Sequence, residues 1–357
     1  PNAGSFGMEV STAMIFGLFA LMFLDTSINM AMQPFKMMVG DMVNEKQKGL
    51  AYSIQSFLCN AGSLVGYLFP FIFAWIGIQN TAPQGVIPDS VIYSFYIGAV
   101  ILILCVIYTT VKVKEMPPKE YAEYHGISEN EKKEKTNMLK LLVKAPKAFW
   151  TVGLVQFFCW FAFMFMWTYT NGSIAYNVFD APTTETIVDG VTKVLLDTTS
   201  LQYQEAANWV GVLFAVQAIG SVLWAICIPM FKNRHTIYSL SLVLGGIGFI
   251  STYFIHNQYM LFISFILIGC AWAAMLAIPF TILTNSLSGG HMGTYLGLFN
   301  GTICIPQIVA AALGGTILSL FTPEGCLPPE INMLVTAGVM LLIGSACVFI
   351  IKEGKDN

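Results

Sequence analysis

Charge is what this sequence most conspicuously lacks. Only 10% of its 357 residues are Asp, Glu, Lys or Arg, whereas 56% are hydrophobic and the mean hydropathy is +0.68. A soluble domain carries about 25% charged residues. The shortage excludes an ordinary soluble protein and predicts a chain that crosses a lipid bilayer many times. It also excludes nucleic acid as a partner, since no long basic patch is present to meet phosphates.

Catalytic and metal-binding signatures are also absent. The sequence contains no HExxH, Walker-type loop, dinucleotide fingerprint or Ser/His/Asp set. Its four histidines lie in loops or at the ends of apolar runs, and its eight cysteines form neither a CxxC pair nor a cluster at ligand spacing. The sequence therefore predicts no enzyme, cofactor or metal site. Without an ATPase motif, any substrate accumulation must be driven by a gradient.

Nine apolar runs follow one another along the chain. Each has about 19 residues or more, which is enough for a helix to cross the ~30 Å hydrocarbon core of a bilayer. The sequence thus predicts an all-α polytopic membrane protein with nine spans. The runs are 11–35, 50–78, 91–113, 149–170, 208–230, 237–255, 259–283, 294–321 and 331–351.

The basic residues predict the orientation of these spans. If the spans alternate in direction, every one of the 17 Lys and Arg residues except Lys193 falls on one side. By the positive-inside rule that side is the cytoplasm. We therefore expect the C-terminus and the segment 114–147 to be cytoplasmic, and the N-terminus to be outside.

The segment 114–147 is the most charged stretch and divides the spans into three and six. We interpret it as a cytoplasmic linker between residues 1–113, the remainder of an N-terminal half, and residues 148–357, a C-terminal half. A short surface helix is expected at 139–147. The polar outer segment 171–207 gives no clear prediction of structure.

The first apolar run carries a polar stripe. Asp25, Asn29, Gln33 and Lys36 fall within roughly 80° of one another on a helix. A charge at mid-membrane costs about 2.5–3.5 kcal/mol on insertion scales, so such a group is a functional candidate by default. The alternative is a buried structural pair that fixes helix packing. We favour the functional interpretation for Asp25, because no other carboxylate is expected well inside a span.

Other spans carry polar and aromatic positions that could face a cavity. These are rich in amides, hydroxyls and tryptophans and poor in charge, which suits a neutral polyhydroxylated ligand such as a sugar. Trp160 belongs to an aromatic stripe with Phe163 and Trp167, and side-chain packing explains this stripe as well as ligand binding does. The candidates are Ser56, Asn60, Gln156, Trp160, Gln217, Trp272, Asn300 and Gln307.

Several of these stretches resemble the sucrose/maltose branch of the major facilitator superfamily. The most specific is Leu24-Asp25, followed by Asn29, Pro34, Lys36 and Gly40-Asp41, which resembles the fourth helix of that branch. The similar stretches further on are Ser56 and Gly62–Tyr67, the loop Asn80–Ser90, Trp160–Phe163, and Gly293 through Leu296-Gly297 and Asn300 to Pro306-Gln307.

The resemblance implies a twelve-helix fold of two halves with a substrate site between them. This chain would hold helices four to twelve, and we expect three further spans upstream of Pro1. It also implies a bacterial inner-membrane location. The chain has Lys36 where the family has arginine, so bidentate pairing is lost. It has Trp167 and Tyr169 where the plant symporters have acidic residues, so Asp25 would carry more of any proton coupling.

These observations predict a secondary transporter that imports a neutral disaccharide of the maltose or sucrose type by alternating access. Asp25 and Lys36 would serve coupling to a proton or, alternatively, to sodium. The other candidates, Asn29 and Gln33 included, would contact the sugar. Two alternatives remain: an uncoupled sugar facilitator, and a sugar sensor on a transporter fold.

Overall fold

The computed structural model describes residues 12–43, 48–80, 86–114, 117, 120, 123, 138–188, 191–231, 233–286 and 292–351, although some side chains inside the helices are excepted. Eleven α-helices and one hairpin make up its regular structure, together with a 3₁₀ turn at Ile228–Met230. In chain order they are α1 (Thr12–Met42), α2 (Lys48–Trp75), α3 (Asp89–Lys112), α4 (Met138–Val143), α5 (Lys147–Asn177), β1 (Thr183–Val188), β2 (Val191–Leu196), α6 (Leu201–Cys227), α7 (Arg234–Ser251), α8 (Leu261–Ser286), α9 (Met292–Phe299), α10 (Gly301–Phe321) and α11 (Ile331–Val348).

Within these described ranges, eight helical spans are long and apolar enough to cross a membrane. The span over α9 and α10 counts once, because Asn300 between them keeps a helical backbone with φ −59° and ψ −24°. The predicted all-α polytopic fold is confirmed. The sixth predicted span corresponds to α7, which is only 18 residues long and begins with Arg234 and His235, and it is not among the eight.

The chain groups into two compact units. The first comprises Pro1–Tyr52 with Glu115–Pro117 and contains α1. The second comprises Ser53–Lys114 and Pro118–Asn357 and contains the remaining long helices, including most of α2. The division at 113 and 147 that the sequence suggested remains a prediction.

Helix α5 lies at the centre of the second unit. It packs against α6, α8, α10 and α11, and large side chains around its circumference, such as Phe149, Phe163 and Phe165, are at most 2% exposed. A helix that is apolar on all sides is suited to such a buried position. The core of this unit is therefore built around α5.

Glycines allow α6 and α8 to pack closely. A Cβ at Gly220 would meet the backbone of Ile266, and a Cβ at Gly269 would meet the backbone carbonyl of Gln217. Small residues are favoured where membrane helices touch, since there is little hydrophobic driving force between helices in lipid. These two positions thus bring Gln217 close to α8.

Helix α3 presents apolar side chains outward. Ile101, Leu102, Ile103 and Leu104 are each at least half exposed. Consecutive exposed side chains point to all sides of a helix, which in water would be unfavourable but in hydrocarbon is not. We infer that lipid covers this helix.

The hairpin lies in the segment 171–207, whose sequence pattern indicated no particular structure. α5 continues two turns past the expected end of its span, to Asn177, and β1 and β2 then pair antiparallel with Thr183 opposite Leu196. α6 begins at Leu201, because the Ser200 hydroxyl caps it by accepting from the Tyr203 N–H at 3.3 Å.

A chain of polar side chains links the end of α2 to α6. Asn80 follows α2, and its Nδ2 donates to Oδ1 of Asn208 at 3.0 Å. The Ser90 hydroxyl at the start of α3 donates to Oδ1 of Asn80 at 2.6 Å. This neutral link joins two helices that lie on either side of the charged segment 114–147 in sequence.

Candidate functional site

A small cavity opens where α2, α5, α6 and α8 meet inside the second unit. Its volume is about 40 Å³. Its lining combines amides, hydroxyls and aromatic rings, and none of the lining residues is charged. They are Asn60, Ser63, Tyr67, Trp167, Phe214, Gln217, Ala218 and Trp272.

Three tryptophans form one side of this site. The ring of Trp272 meets those of Trp160 and Trp167 edge to face, each at a centroid distance of 5.8 Å. Phe163 packs on Trp272 at 4.9 Å. Edge-to-face geometry is a favourable arrangement for aromatic pairs. The stripe predicted along α5 is thus a real cluster, completed by Trp272 from α8.

The members of this cluster differ in exposure. Trp167 is 40% exposed and lines the cavity, whereas Trp160 is 8% exposed and lies behind it. The indole N–H of Trp160 is buried without a hydrogen-bond partner. Leaving a buried donor unpaired is costly, so the N–H of Trp160 would donate favourably to any acceptor that reached it.

The two amide side chains of the lining are buried, whereas Ser63 is exposed. Asn60 and Gln217 are each 6% exposed. Ser63, one turn after Asn60, donates its hydroxyl to the Cys59 carbonyl at 3.0 Å and keeps its oxygen lone pairs for another donor. Amide and hydroxyl groups of this kind can both donate and accept hydrogen bonds.

Gln156 does not line the cavity. Its Nε2 donates to the backbone carbonyl of Met275 in α8 at 2.9 Å, and the side chain is 1% exposed. The reason lies in α8 itself: Pro279, four residues after Met275, has no N–H to donate to that carbonyl. Gln156 supplies the missing donor, so the geometry makes it a tie between α5 and α8.

Neither Asn300 nor Gln307 lines the cavity. Asn300 sits between α9 and α10 with its Nδ2 3.9 Å from the sulfur of Cys304, and Gln307 is half-buried in α10. Asp25 lies in α1, where its side chain is exposed. The side chains of Asn29, Gln33, Lys36 and Ser56 lie outside the described residues, although the backbone at all four positions is helical.

Sequence reasoning missed part of the lining. Tyr67 and Phe214 pack ring to ring at a centroid distance of 5.6 Å and close the cavity between α2 and α6. Trp167 had been placed on the aromatic stripe without being named as a binding residue. The signal that could have found it was the spacing that Trp160 and Trp167 share, seven residues or two helical turns.

A family model described as Major Facilitator Superfamily matches residues 3–188, just over half of the chain. The chain belongs to this superfamily. Major facilitators are membrane transporters and not enzymes, as the missing catalytic motifs had predicted. A comparison with curated proteins returns no match.

A solved structure shows the same fold. It is described as a bacterial homologue of the human lysosomal transporter Spinster in an inward-facing and unoccupied conformation. The similarity has a TM-score of 0.50 with 15% sequence identity, and it covers 89% of this chain and 73% of the other. At that identity the match concerns the major facilitator fold alone.

Proposed function

We propose that this major facilitator carries a neutral disaccharide of the maltose or sucrose type, coupled to protons, across the bacterial inner membrane. The observation that supports this most is the uncharged polar and aromatic lining of the cavity. An anionic substrate would need Lys or Arg among the lining residues. A purely hydrophobic one would desolvate the amide and hydroxyl groups of the lining without offering them a hydrogen bond.

The position of the cavity also supports a transport role. It joins Asn60, Ser63 and Tyr67, from the predicted N-terminal half, to Gln217 and Trp272, from the predicted C-terminal half. Transporters of this type bind substrate between two halves that rock about the site. A residue pair drawn from both halves would contact the substrate in each conformation.

The cavity is too small to hold a disaccharide in this conformation. A cavity of about 40 Å³ has room for a few water molecules at most, on the order of 10–15 Å³ of probe volume each. A disaccharide therefore needs the lining helices to separate. We assign sugar contact to Asn60, Ser63, Gln217, Trp167 and Trp272, with Trp160 as a ring that becomes reachable on opening.

Proton coupling is assigned to Asp25. It lies within the apolar span Ile15–Met32 of α1, where a carboxylate is energetically costly and is therefore a functional candidate by default. Lys36, further along the same helix, would contribute to the coupling as a second charged group. The two are eleven residues apart, about 16 Å along a helix at 1.5 Å per residue, so direct pairing within α1 is not expected.

The test is sugar uptake by purified protein in vesicles with an imposed proton gradient. Gln217→Leu should raise the half-saturating sugar concentration by about 2- to 12-fold, the scale of one neutral hydrogen bond. The matched control is Gln156→Leu, which removes the same side chain from a position outside the cavity and should leave that concentration unchanged.

The outcomes separate the alternatives. Saturable uptake that ignores the gradient would indicate a facilitator, and sugar binding without any uptake would indicate a sensor. No binding of maltose or sucrose to protein with native stability would refute the substrate class. Equal effects of Gln217→Leu and Gln156→Leu would refute the assignment of the cavity.

A further inference from the structure

A second and larger cavity lies at the end of α5 where the hairpin and the loop before α11 meet. Its volume is about 440 Å³. Small-molecule sites commonly measure about 300–1,000 Å³. The lining comes from the last turns of α5, one face of the hairpin, and residues 325–331. The charge pattern of the sequence predicts that this end of the molecule is outside.

One ionisable side chain dominates this cavity. Glu330, the residue before α11, lines it, and its carboxylate lies so close to α5 that a Cβ at Gly172 would collide with it. Among the residues that the structure describes, no Lys or Arg forms an ion pair with it. Glu330 is half-buried, which is unfavourable for a carboxylate without a cation, and this partial burial raises the pKa of Glu330 to about 7.

A second polar group is left without a partner at the same place. Ser173, next to Gly172 in α5, lines the cavity and is 1% exposed, and its Oγ is buried without a hydrogen-bond partner. Asn177, one turn further on, also lines the cavity, although its Nδ2 already donates to the Ser173 carbonyl at 2.8 Å. The cavity thus contains a carboxylate without a cation, that of Glu330, and a hydroxyl without a hydrogen-bond partner, that of Ser173.

The other titratable groups around the cavity do not offset the negative charge of Glu330. Tyr169 and Tyr176 come from α5, and Cys326 comes from the loop. On the hairpin, Val194 and Leu196 line the cavity, so Lys193 points to the opposite face, since side chains alternate along a strand. Glu185, paired with Val194, lies on the cavity side of the hairpin and is exposed.

We propose that this cavity is a binding site for a small organic ammonium ion, with Glu330 as its counter-charge and Ser173 as its hydrogen-bond partner. A metal ion fits less well, because the described residues contain no cluster of three or more His, Cys, Asp or Glu side chains that could hold one. The volume also exceeds what a bare ion fills. A protonated amine needs only one carboxylate, some hydroxyl acceptors and apolar walls for its alkyl part.

The test is a ligand-observed NMR titration of the full chain in detergent micelles with butylammonium as the probe and no sugar present. Glu330→Gln should weaken binding by about tenfold or more, the scale of losing a hydrogen bond to a charged group. Ser173→Ala should weaken it several-fold. Glu324→Gln is the matched control, because it removes a charge from the same loop but not from the cavity lining.

Wild-type protein provides a check that needs no variant. Since the probe remains protonated well above neutral pH, its affinity follows the ionisation of Glu330 and should fall about tenfold between pH 8 and pH 6. Equal affinity for the neutral analogue 1-butanol, unchanged binding in Glu330→Gln, or affinity independent of pH would each overturn the proposal. These measurements do not involve sugar uptake, so their outcome does not depend on whether the proposed transport function is correct.

Discussion

Replacing Gln156 tests whether its side-chain amide compensates for the backbone N–H that Pro279 lacks in α8. In α8, Pro279 cannot donate to the Met275 carbonyl, and Gln156 Nε2 does so from α5 at 2.9 Å. Gln156→Met keeps the length and most of the volume of the side chain but removes the donor. The carbonyl would then be buried without a partner, which costs about 1–3 kcal/mol.

Part of that cost is offset within the same residue. The Oε1 of Gln156 is itself buried and unpartnered, so methionine also removes an unfavourable group. We therefore expect Gln156→Met to lower the free energy of unfolding by only about 1 kcal/mol. In the Pro279→Ala background the helix supplies its own N–H, and the same change should be neutral or stabilising. The coupling between the two sites should be about 1–2 kcal/mol.

The assay is a double-mutant cycle on the four proteins, with unfolding followed by denaturant titration in mixed micelles. Sugar affinity is measured in parallel and should be the same in all four, because neither residue lines the cavity. If Gln156→Met has an equal effect with proline and with alanine at position 279, the two residues do not compensate each other. The account of Gln156 as a helix tie would then be refuted.

Three further outcomes are expected. Asp25→Asn should abolish proton-driven accumulation while leaving sugar exchange, measured as counterflow in vesicles; full accumulation would mean that Asp25 does not couple. Burial raises the pKa of Glu330 from 4.5 to about 7, so the folded state binds the proton more tightly and stability should fall as pH rises from about 4.5 to 7, by up to about 3 kcal/mol. Glu330→Gln should abolish this slope in thermal unfolding, and an unchanged slope would assign it to other groups. Protease should cut residues 114–147 in inside-out vesicles only, and cutting only in right-side-out vesicles would reverse the predicted topology.

Local features of the sequence were enough to predict the spans. Hydropathy and length are properties of each run alone, so α3 and α8 could be recognised without knowing their neighbours. The exception, α7, begins with Arg234 and His235, and its apolar part is short. Its buried hydroxyl contact, Ser239 to Ser345 at 2.7 Å, joins residues 106 apart and could not be read from either helix.

The polar and aromatic chemistry of the candidate site could be predicted from the sequence, but only some of its lining residues could. Asn60, Gln217 and Trp272 were named from polarity within apolar runs, and the structure brings these three together. Gln156 looked equivalent by the same criterion. Pro279 indicates that one carbonyl in α8 lacks a backbone donor. The side chain that donates to this carbonyl could not be predicted, because it depends on how α5 and α8 pack. Glu330 was overlooked because it lies at a helix end rather than inside an apolar run.

The hydrogen bond between Asn80 and Asn208 has a consequence for the energy of switching between conformations. A net contribution of about 1 kcal/mol from one neutral hydrogen bond changes a two-state equilibrium only about fivefold. Breaking this one contact therefore adds only a small cost to any movement that separates α2 from α6. In the proposed transport cycle, the neutral amide pair would therefore favour the conformation that contains it only slightly.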